Sequence, residues 1–229
     1  VVQRVTGDGP FSLAADSIEE QVLPHEAVNP FAGVRFALYG KDTSSFVHIL
    51  ASHGMGGDLL TGKLADADLS KYDVLIMLTN CIMYDTDDEL QANADKLREF
   101  VHGGGDIVAF QQNGRATWDS SIFPYDMGLI VARSTTKPVL ADERLFGGAQ
   151  ADEFGGYVVV YYPIDVAGTD NNWRYLAYAD DDKKQGAIAV CKYGQGQALI
   201  NQFAVLDRIG EPVMRSLMQQ TVRYVLDER

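Results

Sequence analysis

Few residues of this chain are suited to covalent or acid-base chemistry. Cys81 and Cys191 are the only thiols, and His25, His48, His53 and His102 are the only imidazoles. A thiol attacks as its thiolate, so it needs a base or a cation beside it. No histidine lies near Cys81 in sequence, although His48 and His53 can approach it through the fold. The histidines show neither H-x-x-x-H nor H-E-x-x-H spacing, and His48 and His53 fall on different faces of a helix. No metal site is expected from them. Asp180–Asp182 read as a solvated turn rather than a cation site. Asp85, Asp87 and Asp88 read as helix-capping charges, with Asp85 able to face a crevice. What remains is rich in amides: Asn80 beside Cys81, then Gln111, Gln112 and Asn113, with Arg115 and Trp118 just after. Amides both donate and accept, Arg115 adds a charge, and Trp118 adds a flat apolar face.

These groups are useful only if the chain brings them together. Val74 to Leu78 is a short unbroken apolar run, as expected of a strand buried on both faces. Thr86 and Glu89 have capping-box spacing, and Leu90, Ala94, Leu97 and Val101 then recur at helical intervals. Gly103–Gly105 stop that helix, and Ile107 to Phe110 is a second buried strand. The unit is strand–helix–strand, so Thr79–Cys81 and Gln111–Asn113 fall at the carboxyl ends of two parallel neighbours.

Other elements extend the pattern. Val34 to Tyr39 reads as a first strand, and Thr43 as the cap of a helix carrying Phe46, Ile49 and Leu50. The GMGG after that helix is not a phosphate loop, which would lie between a strand and a following helix. Residues 115–168 are irregular and β-rich, and read as an insertion at one end of the sheet. Beyond Trp173, GAIAVCKY and QALINQF form a hairpin through Gly194 to Gly196. Glu211 and Pro212 then open a helix with Met214, Leu217, Met218, Val222 and Val225 on its apolar face. The expected architecture is α/β: a three-layer sandwich with a mostly parallel, flavodoxin-like sheet. Residues 1–229 read as one domain, with residues 1–29 as an N-terminal arm.

Composition removes some functions. A net charge of −13 opposes nucleic acid and anionic membranes, both of which call for a basic patch. No apolar run approaches the roughly 20 residues that span a bilayer. Two cysteines make no disulfide framework, and the compartment stays open.

The tracts YDVLIMLTN, FVHGGGDIVAFQQNG and AVCKYGQGQALINQF, with the capped helices between and after them, resemble the class I glutamine amidotransferase-like superfamily. The resemblance is to its divergent members: ThuA-like proteins and the trimerisation domain of some β-galactosidases. It covers roughly Val34–Gly114 and Trp173–Leu226. It implies a strained turn near Gln111–Asn113, where true amidotransferases carry a cysteine nucleophile, and a Q-F-H-P-E phrase after the last hairpin strand. This chain has QQNG at the first place and Gln202, Phe203, Ala204, Val205, Leu206 at the second. Nucleophile and base are both missing, so no glutaminase activity and no cofactor are expected.

The leading expectation is a non-catalytic module of this kind. It would bind a carbohydrate-related ligand or another domain of a larger sugar-processing protein through Asn80, Cys81, Gln111, Gln112, Asn113, Arg115 and Trp118. Two alternatives stand beside it. One is a hydrolase or sugar-modifying enzyme with a rearranged site using Asp85, Asp207 or Cys81. The other is a structural, homo-oligomerising domain.

Overall fold

Alternation within the strands shows how the sheet is buried. In the strand Val74–Met77, Val74 and Ile76 join one apolar cluster, and Leu75 and Met77 join another on the opposite face. Phe36–Tyr39 and Asp106–Phe110 divide the same way. A strand covered on both sides needs apolar residues at nearly every position; Asp106, the buried exception, accepts from Gln197 N at 3.0 Å. The computed structural model of the chain describes residues 29–40, 44–61, 63–85, 88–113, 122–155, 159–166, 172–205 and 207–228. The expected arm lies almost wholly outside them, as do Thr43, Arg115 and Trp118.

The strands in chain order are β1 (Phe36–Tyr39), β2 (Asp58–Leu59), β3 (Val74–Met77), β4 (Asp106–Phe110), β5 (Gly128–Leu129), β6 (Arg133–Ser134), β7 (Val139–Leu140), β8 (Val160–Tyr161), β9 (Ile164–Asp165), β10 (Trp173–Tyr178), β11 (Gly186–Tyr193) and β12 (Gly196–Asn201). The α-helices are α1 (Ser44–Ser52), α2 (Glu89–Ala92), α3 (Ala94–His102), α4 (Glu143–Phe146) and α5 (Pro212–Asp227). The central sheet runs β2-β1-β3-β4-β12-β11-β10-β7. Its first five strands are parallel, with Phe36 opposite Val74, Val74 opposite Asp106, and Ala198 opposite Ile107. In chain order this half is 2-1-3-4-5, the flavodoxin-like winding. The expected neighbours β1, β3 and β4 therefore lie side by side and parallel. From β12 onward the sheet is antiparallel, through β11 and β10 to β7.

Phe46 and Leu50 of α1 pack in one apolar cluster with Met214, Leu217, Met218, Val222 and Val225 of α5. Leu90 of α2 and Leu97 and Val101 of α3 belong to the other. The result is three layers, helix–sheet–helix, as the sequence indicates. The described parts of the 122–166 stretch add strands to the same sheet, β7 at its edge and β9 against β11.

The helix expected over Thr86–His102 is two pieces. Asn93 interrupts it: its Nδ2 donates to Glu89 O at 2.8 Å, in competition with the helical ladder. Thr86 lies outside the described residues. Glu89 accepts from Leu64 N at 3.2 Å, and the amides of Glu89 and Leu90 are capped by Asp85 instead, at 3.1 and 2.8 Å. A turn still closes the far end as the glycines suggest. Gln195 N donates to His102 O at 3.0 Å, and a Cβ on Gly194 (φ +63°) would meet that oxygen at 2.4 Å. Only glycine allows the β11–β12 turn to dock so closely on the end of α3.

Candidate functional site

The carboxyl ends of β1, β3 and β4 meet at one edge of the sheet. Gly40 follows β1 and touches the chain after β3 so closely that a Cβ there would stand 2.9 Å from Leu78 Cβ. Beyond β3 the chain turns at Asn80, and beyond β4 at Gln111. Both residues have left-handed backbones, φ +59° and +43°. Asparagine takes this region readily, but an unbranched glutamine does so at a cost, and such strain concentrates at functional sites. Gln111 is thus the apex of the strained turn expected at Gln111–Asn113. The strain lies at Gln111 itself, whose side chain is an amide.

Two buried glutamines hold this turn. Gln112 is fully buried, and its Nε2 donates to Leu78 O at 2.8 Å and to Phe110 O at 2.7 Å. Its Oε1 accepts from Ile82 N at 3.2 Å and faces Cys81 Sγ at 3.4 Å. The Gln112 backbone is clasped by Gln202, whose Oε1 accepts from Gln112 N at 2.7 Å. Gln202 Nε2 donates to Gln112 O at 2.8 Å and to Tyr162 O at 2.9 Å, and Tyr162 is itself left-handed at φ +48°. These amides are fully used in tying β3, β4 and the segment after β12 together.

The remaining polar groups at this edge are not used up in this way. Thr79 Oγ1, Asn80 Oδ1, Gln111 Oε1 and Asn113 Oδ1 are all buried and make no hydrogen bond among the described residues. Leaving a buried acceptor unpaired costs about 1–3 kcal/mol, and native proteins rarely do it without reason. Here four such oxygens lie at the ends of two adjacent strands. Gln111 Nε2, by contrast, donates to Asp207 Oδ2 at 3.3 Å, and Asn113 Nδ2 lies 3.7 Å from Met83 Sδ. Tyr84, 38% exposed, lies on the same turn, its N–H donating to Asn80 O at 3.1 Å.

Of the residues expected to form a site, the fold brings together Asn80, Cys81, Gln111, Gln112 and Asn113. Thr79, expected with them at the end of its strand, joins them, as do Met83, Tyr84 and Tyr162, which residue type and spacing do not single out. Strand-end position is the available signal for Thr79, and no pattern marks Tyr162. The thiol of Cys81 is 2% exposed, and burial, with the Asp85 carboxylate nearby, pushes its pKa far above the ordinary thiol value. Such a thiol stays protonated at neutral pH. Burial likewise raises Cys191, to about 12. Asp85 is engaged in capping α2. Ala204 and Val205, where the amidotransferase phrase would place its base, are buried apolar residues. Among the described residues no group of three or more His, Cys, Asp or Glu is placed to hold a metal, and no helix is long and apolar enough to cross a membrane.

Fold and edge together define a flavodoxin-wound α/β module with a strained polar turn at the carboxyl end of β4. No protein-family model and no curated protein matches the chain. Solved structures do. A cytoplasmic protein from Salmonella typhimurium matches with a TM-score of 0.54 at 10% identity, over 84% of this chain and 98% of that one. The cold-adapted β-galactosidase from Rahnella sp. R3 matches with a TM-score of 0.50 at 17% identity, over 82% of this chain and 31% of that one. A GH42 β-galactosidase from G. stearothermophilus matches with a TM-score of 0.44 at 16% identity, over 82% of this chain and 30% of that one. The chain spans about 30% of the length of the β-galactosidases it matches. At these identities the likeness is one of fold.

Proposed function

We propose that this chain is a non-catalytic, amidotransferase-like module whose strand-end crevice binds a neutral polyhydroxyl ligand, and that it works as part of a sugar-processing system. The observation that carries this reading is the set of four buried, unpaired oxygens of Thr79, Asn80, Gln111 and Asn113. Acceptors of this kind are satisfied by donors, and a sugar presents several hydroxyl donors at fixed spacing. A net charge of −13 disfavours an anion in the crevice. Ligands in open α/β sheets sit outside the carboxyl ends of the strands, and the four oxygens follow β3 and β4, one strand along from the switch point between β1 and β3. Tyr84, 38% exposed on the turn that follows Asn80, is the aromatic residue put forward for stacking, the role expected of Trp118. Gln112 serves the site by positioning its neighbours. The β-galactosidase fold neighbours agree with a carbohydrate setting.

A site of this kind is read as binding without turnover: among the described residues Cys81 is a buried, protonated thiol, and the Asp207 carboxylate is engaged by Gln111 Nε2 at 3.3 Å. The enzyme alternative loses Cys81 to burial and Asp85 to helix capping. The oligomerising alternative stands beside the binding one: Tyr84 and Val131 are large apolar residues exposed among the described residues, and Pro138, Leu140, Phe146 and Ala149 line an apolar groove. The test is a titration of the protein with galactose, glucose, mannose and short oligosaccharides, following backbone amide shifts. Binding at millimolar concentration, weakened in Asn80→Ala and Asn113→Ala, supports the reading. Absence of any response at Thr79–Cys81 and Gln111–Asn113 refutes it.

A further inference from the structure

The Gln111 side chain is anchored at one end. Its Nε2 donates to Asp207 Oδ2 at 3.3 Å, and Asp207 stands exposed on the segment after β12. Its Oε1 is buried and unpaired, and the residue as a whole is 6% exposed. The two ends of an amide are of similar shape but opposite polarity, so neighbours decide which way it faces. A carboxylate only accepts. The end of Gln111 that meets Asp207 is therefore the NH₂, and the carbonyl is turned to the buried side. An amide whose N–H donates to a charged acceptor also becomes a better acceptor at its oxygen, because hydrogen bonds in series polarise one another.

We propose that Asp207 is a positioning residue that sets the hydrogen-bond polarity of the crevice. By holding Gln111 Oε1 inward as an acceptor, it makes the site select ligands that present an alcohol O–H at that point and reject ethers and carbonyls there. This rests on the carbohydrate reading above and adds to it a chemical rule. A free sugar hydroxyl is accepted at Gln111, and an O-alkylated or oxidised one is refused. With Asp207 replaced by an amide, both ends of Gln111 find partners in either orientation, and the selection relaxes.

The experiment has a ligand-free arm and a ligand arm. In the first, the side-chain amide resonances of Gln111 are compared in the wild-type protein, Asp207→Asn and Asp207→Glu. Asp207→Asn is expected to move both Gln111 NH₂ protons, and Asp207→Glu to bring them back towards wild type. In the second, galactose, glucose and mannose are titrated against their mono-O-methyl ethers, one position at a time, so that a single ether falls opposite Gln111. Wild type and Asp207→Glu are expected to prefer the free sugar by about tenfold or more, the scale of one lost hydrogen bond. Asp207→Asn is expected to narrow that preference to about threefold or less. Gln111 resonances indifferent to Asp207, or an unchanged preference in Asp207→Asn, would overturn the proposal. If wild-type protein bound neither form while Gln111 still responded to Asp207, the carbohydrate reading would fall. The ligand rule would fall with it, leaving only the side-chain pairing.

Discussion

The amide N–H of Asn80 donates to the carbonyl of Gln111 at 3.2 Å, joining two left-handed residues at the ends of neighbouring parallel strands. Each turn supports the other, and Gln112 and Gln202 lock both from beneath. Strained backbone persists only where its surroundings over-determine it, and here the surroundings are hydrogen bonds that can be removed one at a time.

Glycine at the apex should be tolerated. Gln111→Gly removes the side-chain penalty of a positive φ while adding chain entropy to the unfolded state, so unfolding free energy should stay within about 1 kcal/mol of wild type. Gln111→Val puts a β-branched residue in the same conformation and should cost about 2–3 kcal/mol. Urea unfolding of the pair checks this, and equal stabilities would mean that the turn is not strained.

Gln202 is expected to matter more for structure than Gln111. Gln202→Leu leaves the amide and carbonyl of Gln112 and the carbonyl of Tyr162 without their buried partner. The expected loss is about 2–4 kcal/mol. Equilibrium denaturation measures it, and a loss below about 1 kcal/mol would remove Gln202 from its proposed role.

Both thiols should be silent in the folded protein. A chromogenic disulfide reagent at pH 8 should find neither Cys81 nor Cys191 until denaturant is added, and then both. No ammonia should be released from glutamine. Rapid labelling of native Cys81, or glutamine turnover abolished by Cys81→Ser, would restore the enzyme alternative.

Acid should weaken a charged cluster far from the crevice. The Arg144 guanidinium, with the Tyr224 hydroxyl and Arg174, holds the Asp142 carboxyl well below the usual range, through contacts of 2.8–3.1 Å. A carboxyl with a lowered folded pKa stabilises the fold in full above its unfolded value near 3.9, and that contribution fades as pH falls through the lower folded value. Asp142→Asn should therefore cost about 1–2 kcal/mol at pH 7, allowing for solvent screening, and much less near pH 2. A cost independent of pH would contradict this.

Much of this fold is legible in the residues themselves. Val74–Met77 and Asp106–Phe110 announce a doubly covered parallel sheet because burial on both faces leaves few polar positions. Pro212 and the spacing from Met214 to Val225 are enough to define α5. The break at Asn93 is hidden, because a side chain that bonds back to its own turn leaves the apolar period intact. The lock between Gln112 and Gln202 is hidden for a different reason. The two residues are 90 positions apart, and their reciprocal bonds depend on the sheet placing β12 beside β4. Nor does composition distinguish Gln112, whose amide is fully paired, from Gln111, whose carbonyl is not.

The unpaired oxygens at this edge are expected to receive a ligand. A crystal structure of the protein grown with galactose or a short galacto-oligosaccharide tests this most directly. The expected result is a sugar ring outside the ends of β3 and β4, with hydroxyls within about 3.2 Å of Gln111 Oε1 and Asn80 Oδ1. A crevice closed over by the protein's own chain, with those oxygens satisfied internally and no sugar present, would contradict it.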